Sequence, residues 1–506
     1  VRRLDTYPSE LSVDRQLTAL HDAVLKGDQR RKDVLFGRTG PSFESVSGTY
    51  VDNNAAQDRA VRRAVAAEDL ALIHGPPGTG KTYTVARTVQ ALLARGERVL
   101  LSAFTNRAVD NALEAIREQG VADAVRAGRE SGESSAEVAD GGTTASESSA
   151  FEDVVVRVGT EEGVRGDMQD VRLIESGDPG ERVRALADAP VVAATTAACG
   201  SRVMREQSFD VALVDEASQL TEPATLAAIN RADRFVLVGD HEQLPPVVQA
   251  EGGVPVSEAD LGSGVDSTEG GSDVSGGGGD VSGGGGDVSS DETTRPPRAD
   301  LSESLFERLI ERYPDAGVTL TSQYRMSQRI QAFASAEFYD GRLRPASGAV
   351  AGRSLADLGV SASALPASVT RDSDTVDGVS FVDPDGRREG NTNPVEAACI
   401  ADLVAGYVAA GVDPDDIGVI APFRAQVAEI GRRTDVTVDT VDRFQGSSKE
   451  VIVVSFVATD TLDSPIFEDY RRVNVALTRA KRALTLVGDE TALRSDPVYE
   501  RMVDWA

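Results

Sequence analysis

Leu70-Ala71-Leu72-Ile73-His74-Gly75-Pro76-Pro77-Gly78-Thr79-Gly80-Lys81-Thr82 runs an apolar segment straight into a glycine-rich turn closed by a lysine and a hydroxyl. Residues 70–74 read as a short buried strand and Tyr83–Ala94 as the helix that follows. Between them, Gly75–Thr82 fits G-x-x-x-x-G-K-[ST] in the strand–loop–helix setting that gives the pattern its meaning. Glycines let the backbone wrap closely, so successive N–H groups and the helix N-terminus point at one anion. Lys81 is placed to reach the β- and γ-phosphates of a nucleoside triphosphate, and Thr82 to ligate its Mg²⁺. The bland alternative is a glycine-rich surface turn. It fits poorly in a chain with only five lysines, where one falls at this position.

Working outward, Val211-Ala212-Leu213-Val214-Asp215-Glu216 ends a second apolar strand in two carboxylates. Open α/β sheets bind ligands at the carboxyl ends of their strands. Asp215 is the candidate Mg²⁺ ligand and Glu216 the candidate general base for an attacking water. Alone, an Asp-Glu pair after a strand is often only solvated; the phosphate loop upstream gives it a partner. Short apolar runs alternate with helical segments along the rest of the chain, the rhythm of parallel α/β sheets. One set comprises Leu70–His74, Arg98–Phe104, Val154–Val158, Pro190–Thr195, Val211–Val214 and Phe235–Val238. A second comprises Val318–Leu320, Val379–Val382, Ile417–Ile420, Val436–Val441, Val451–Phe456 and Leu484–Val487. The spacing predicts two α/β domains, 51–315 and 316–506. Residues 1–50 are expected as a helical stalk or the end of an upstream domain, with Leu17, Leu20, Val24 and Leu25 at helical spacing. Two stretches, about 131–149 and 251–300, carry no apolar periodicity. The longer repeats Asp-Val-Ser-Gly-Gly-Gly-Gly and holds eleven acids against two arginines, so it is expected to be a disordered surface insertion.

Composition limits the function classes. No run of 18 or more apolar residues occurs, so no membrane span is expected. Cys199 and Cys399 stand alone and His21, His74 and His241 are the only histidines, which predicts neither a zinc site nor an iron–sulfur cluster. Two isolated thiols point to a reducing, cytoplasmic setting. The chain opens Val1-Arg2-Arg3, which reads as the cut end of a longer protein. The formal net charge is −30, from 82 acidic and 52 basic residues. Nucleic-acid binders usually lean basic. This lysine-poor, acid-rich composition resembles that of proteins from salt-loving archaea, where the Debye length falls below about 3 Å and an acidic surface repels a phosphate backbone only weakly.

The motifs, in order, resemble those of superfamily 1 helicases of the 5′-to-3′ branch, which contains the nonsense-decay RNA helicases, the senataxin-like helicases and the replication nuclease-helicases. The resemblance covers about residues 51–490. Asn54-Ala55-Ala56-Gln57 looks like the adenine-reading element, with Gln57 on the base edge. Thr105 and Asn106 in Ala103–Asn111, and Thr195 and Thr196 in Val192–Thr196, resemble strand-gripping motifs; ordinary strand-end turns are the alternative. In Gly239-Asp240-His241-Glu242-Gln243-Leu244-Pro245-Pro246 the resemblance makes Gln243 the γ-phosphate sensor. In Gln323-Tyr324-Arg325-Met326 it makes Tyr324 the adenine-stacking ring and Arg325 a γ-phosphate ligand. Val438–Gly446 resembles the motif joining the phosphate and nucleic-acid sites, with Thr440 toward the strand and Gly446 toward the nucleotide. Asn474–Lys481 supplies Arg479 as a second arginine finger. Tyr83 completes the candidate ATP-binding set. The family's acid after the fifth motif, expected to hold the ribose, is replaced here by Ser448, with Glu450 two residues on.

The resemblance implies an ATP- and Mg²⁺-dependent motor, expected to be monomeric, on single-stranded or partly duplex nucleic acid, with DNA favoured over RNA. An ATP-gated clamp that does not unwind would carry the same motifs. A P-loop kinase would need no second domain and no arginines from it. Because Lys81, Asp215, Glu216 and Gln243 fall in one domain and Arg325 and Arg479 in the other, the γ-phosphate is expected to be the only partner the halves share.

Overall fold

The computed structural model describes residues 10–52, 54–120, 151–174, 178–246, 303–369, 378–462 and 465–506. The expected insertions at 131–149 and 251–300 lie outside the described residues.

Seven parallel strands form the first sheet: β1 (Leu70–His74), β2 (Val99–Ala103), β3 (Val155–Val158), β4 (Val191–Thr195), β5 (Phe209–Asp215), β6 (Ala232–Gly239) and β7 (Gly317–Thr319), in the order β3-β4-β2-β5-β6-β1-β7. A short pair, β8 (Ser322–Gln323) and β9 (Arg344–Pro345), follows. The second sheet holds β10 (Val379–Val382), β11 (Ile417–Ile420), β12 (Thr437–Asp439), β13 (Lys449–Ser455) and β14 (Ala480–Val487), all parallel, in the order β10-β14-β13-β11-β12. These strands are near-continuous apolar runs because helices cover both faces. In β1, Ala71 and Ile73 enter one core while Leu70 and Leu72 enter the core on the opposite face. In β13, Val451 and Val453 divide from Ile452 and Val454 in the same way. The alternation is the period-2 geometry of a strand buried on both sides.

Two expectations are corrected. Val318–Leu320 was expected to open the second domain, yet Gly317–Thr319 pairs with β1 through Leu72↔Gly317 and His74↔Thr319. The first sheet therefore gains a strand, and the boundary falls after residue 319. Residues 1–50 were expected to form a helical stalk or the end of an upstream domain, and it is the stalk reading that is corrected. Instead the helices Glu10–Leu25 and Gln29–Leu35 lie along the first domain. Arg15 Nη1 donates to the Ala197 carbonyl, Asn230 Nδ2 donates to the Ala19 carbonyl, and Ala19, Val34 and Leu35 enter a core of the first sheet. The apolar stripe Leu17, Leu20, Val24 and Leu25 faces outward. Among the described residues no helix is long and apolar enough to cross a membrane.

Candidate active site between the two sheets

The loop after β1 turns twice through left-handed backbone, at Gly78 (φ 74°) and Gly80 (φ 79°), before the helix Lys81–Leu93 begins. Such φ values strain any residue with a Cβ. Gly78 is also a point of contact between the domains: a Cβ there would stand 2.6 Å from Arg325 Cβ, and the Gly78 carbonyl accepts from the Tyr324 backbone N–H at 2.8 Å. Lys81 Nζ folds back to donate to the Gly75 carbonyl at 2.7 Å. Thr79 is buried, with its hydroxyl donated to the Pro76 carbonyl, and Pro77 is buried beside it.

A cleft of about 850 Å³ opens over this loop. Its walls include Pro76, Gly78, Lys81, Thr82, Asp215 and Glu216 from the first domain, with Tyr324, Arg325, Gln445 and Gly446 from the second. Burial pushes the Asp215 carboxyl up to about 7, with the Glu216 charge adding to the rise and Lys81 opposing it. Glu216 is a non-glycine residue in left-handed backbone (φ 52°), a conformation that costs about 1–3 kcal/mol where the fold imposes it. Its Oε2 accepts from Gln219 Nε2 at 3.0 Å. The turn bends the chain sharply just past β5, and Glu216 lies in the wall of the cleft.

From the opposite wall, Arg325 Nη1 donates to the Thr478 carbonyl at 3.1 Å. Burial brings its guanidinium down to about 10, with the Glu216 carboxylate opposing. Arg479 is fully buried and its Nη2 donates to Gln243 Oε1 at 3.2 Å. Burial, and then the Arg325 charge, bring it down to about 9, again against Glu216. Two desolvated cations therefore stand side by side near a pair of carboxylates and a lysine. Charges so placed are stabilised by an anion of matching size.

The adenine-side expectations converge only in part. Asn54 Oδ1 caps the helix Ala55–Ala66, and its Nδ2 donates to the Tyr324 hydroxyl at 2.9 Å. Gln57 is buried and its Nε2 donates to the Thr79 carbonyl at 3.1 Å, so one end of this amide braces the loop. Tyr83 and Tyr324 are 37% and 42% exposed. Ser448 lines the cleft, as does Glu450. The Glu450 carboxylate, though, is paired with Lys481 at 2.7 Å and Arg482 at 2.6 Å, so it does not stand free in place of the acid the family carries.

The residues read as strand-gripping leave the carboxyl ends of strands in both sheets. Thr105 and Asn106 leave β2, while Thr195 and Thr196 leave β4, its neighbour. Thr440 leaves β12 on the second sheet. Thr105 Oγ1 accepts from the Ala108 N–H and Thr195 Oγ1 from the Ala198 N–H, so both cap helices. Asn106 Oδ1 accepts from the buried Arg157, Thr196 is buried, and Thr440 is half-buried.

One feature of the site, the bonding around Asp240 and the part Tyr339 plays in it, carried no signal in the sequence. Asp240, fully buried, accepts from His74 Nε2 (3.0 Å), Gln243 Nε2 (2.5 Å) and the Tyr339 hydroxyl (2.9 Å). Asn474 Nδ2 donates to the same Tyr339 oxygen and to the Glu242 carbonyl. The γ-phosphate is thus not the only partner the domains share: a buried polar network already crosses between them. Tyr339 follows a helix in an unremarkable Phe-Tyr-Asp-Gly stretch, and only the fold brings it to Asp240.

Comparison with known proteins agrees with this geometry. Two family models, each described as an AAA domain, match residues 52–176 with 160–251 and residues 301–491. The DNA replication ATP-dependent helicase/nuclease JHS1 of Arabidopsis thaliana is 33% identical over 463 residues, which is 88% of this chain and 29% of that protein. The ATP-dependent helicase MJ0104 of Methanocaldococcus jannaschii is 29% identical over 100% of this chain and 78% of its own. The helicase/nuclease DNA2 of Xenopus laevis is 30% identical, over 89% of this chain and 38% of its own. The chain thus spans only about a third of the replication helicase/nucleases it matches. A solved arterivirus helicase in complex with DNA aligns with 85% of this chain and 62% of its own at 13% identity, with a TM-score of 0.39. The two-sheet fold, the phosphate loop with its carboxylates and these relatives together establish the family: the chain belongs to the superfamily 1 helicases, in the group that contains the nonsense-decay, senataxin-like and replication helicase/nuclease proteins.

Proposed function

We propose that this chain is an ATP-driven motor that moves 5′ to 3′ on single-stranded nucleic acid, DNA in preference to RNA, and separates duplexes ahead of it. The observation that carries the reading is the cleft itself: the phosphate loop, Asp215 and Glu216 face Arg325 of the other domain across it, with Arg479 desolvated behind Gln243. A triphosphate in that space is cradled by backbone amides and Lys81 and met by two guanidinium groups. Thr82 and Asp215 suit a Mg²⁺ ion, since a buried carboxylate with a raised pKa gains from a cation that lets it ionise. Held by Thr82 and Asp215, such an ion would supply positive charge to offset that of the phosphates. Glu216 orients a water and takes its proton. Arg325 and Arg479 stabilise charge developing on the transferred phosphoryl group. Loss of the γ-phosphate removes a partner common to both domains and loosens their contact, which becomes a step when each domain grips the strand in turn.

The preference for DNA is supported by the printed names of the replication relatives. We read the net charge of −30 as suited to a cytoplasm rich in KCl, where a monomer can hold a phosphate backbone despite its acidic surface. The test is ATP hydrolysis in molar KCl with single-stranded DNA and RNA of one sequence, beside strand displacement from 5′- and 3′-tailed duplexes. Stimulation by DNA and displacement from 5′ tails are expected. Stimulation without displacement would assign the cleft to an ATP-gated clamp, and displacement from 3′ tails alone would reverse the polarity.

A further inference from the structure

We infer that Tyr339 is a positioning residue that sets the arginine finger Arg479 against the first domain before nucleotide arrives. Its hydroxyl is fully used, donating to Asp240 Oδ2 at 2.9 Å and accepting from Asn474 Nδ2 at 2.8 Å. Asp240 belongs to the first domain; Tyr339 and Asn474 belong to the second. Arg479 is locked to the same turn as Asn474, because its Nε donates to the Val475 carbonyl (3.0 Å) and the Thr478 hydroxyl donates to the Asn474 carbonyl (2.7 Å). The path then closes on itself: Arg479 Nη2 donates to Gln243 Oε1, and Gln243 Nε2 donates to Asp240 Oδ2. Every side chain in this ring is less than one-tenth exposed.

A buried ring of hydrogen bonds with one carboxylate at its centre resists displacement, since leaving any member unpaired costs its desolvation. The ring needs no phosphate. A finger held this way does not have to be ordered during reaction, which is the condition for electrostatic stabilisation at low reorganisation cost. Tyr339 itself does not line the cleft, so its effect on chemistry passes through Asn474 and Arg479.

This inference rests on the hydrolytic half of the proposed function and not on translocation. Tyr339→Phe keeps the ring volume and leaves Asp240 bonded to His74 and Gln243. It is expected to lower kcat about ten-fold, the scale of one hydrogen bond to a charged group, with KM for ATP and affinity for ADP unchanged. Affinity for ADP–aluminium fluoride, which mimics the transferring phosphoryl group, should fall by the same factor. Asn474→Ala, which removes the other end of the bridge, should repeat the pattern, and in an Arg479→Ala background Tyr339→Phe should weaken the mimic no further. Unchanged kcat and mimic affinity would overturn the inference. So would equal weakening of ADP and of the mimic, or an added loss in the Arg479→Ala background. If the wild-type chain hydrolyses ATP but ignores single strands, the motor reading fails while this test still gives its answer.

Discussion

The phosphate cradle and the strand-end hydroxyls are built from similar pieces, short turns leaving the carboxyl ends of parallel strands, and they end differently. In the cradle, left-handed glycines and one lysine surround a single point, and the groups opposite come from another domain. At the ends of β2 and β4, Thr105 and Thr195 spend their oxygens on the first turn of the next helix. Left-handed glycines that end in a lysine at a helix N-terminus turn backbone N–H groups and one cation toward a single point, which suits an anion. A threonine after a strand serves equally as a helix cap or as a ligand, and only neighbouring atoms decide which.

The largest effects should come from the side of the cradle supplied by the second domain. Arg325→Ala and Arg479→Ala are each expected to lower turnover by about 10³–10⁵ while ADP still binds, as measured by single-turnover hydrolysis and ADP titration. Glu216→Gln should come next, with hydrolysis reduced about 10²–10⁴ and ATP binding retained, because the amide cannot take the water's proton. Turnover near that of the wild type would move the base elsewhere. A smaller effect concerns pH. The Asp215 carboxyl, raised to about 7, holds its proton below that value and loses it above. Mg²⁺ binding requires the carboxylate, so Mg²⁺-dependent nucleotide affinity should climb between about pH 6 and pH 8 and then level off. Asp215→Asn should flatten the climb, and a slope that persists in that variant would place the titration on another group. The smallest effect tests the other half of the comparison. Thr105→Ala should cost about 1 kcal/mol of stability through the lost cap, read as a lower Tm, while Thr105→Ser should restore it. A drop in single-strand affinity of more than about ten-fold at unchanged Tm would show that the hydroxyl serves the strand instead.

Both sheets were legible because strands buried on two faces are apolar runs bounded by turns. Leu70–His74, Val379–Val382 and Ile417–Ile420 end where the runs end. Gly317–Thr319 was misplaced because its residues read as a strand but say nothing about which sheet it joins; pairing with β1 settles that in three dimensions. The N-terminal stripe Leu17, Leu20, Val24 and Leu25 marked a helix but not the face it buries: the stripe is exposed, and the small Ala19 enters the core of the first domain. Lys81, Asp215, Glu216 and Arg325, each read from a motif, are brought by the fold to the walls of one cleft. Tyr339 and the bonding of Asp240 were not legible, for a hydrogen bond between residues 99 positions apart leaves no local pattern.

The most direct test of the whole account is a crystal structure with Mg²⁺, ADP and aluminium fluoride. The account predicts the fluoride plane between Lys81 and the two guanidinium groups, with Arg325 and Arg479 nitrogens at about 3 Å from fluorine or phosphate oxygen and the Glu216 carboxylate on the attacking water. Nucleotide bound in the loop with both arginines turned away from it would contradict the claim that one triphosphate joins the two domains.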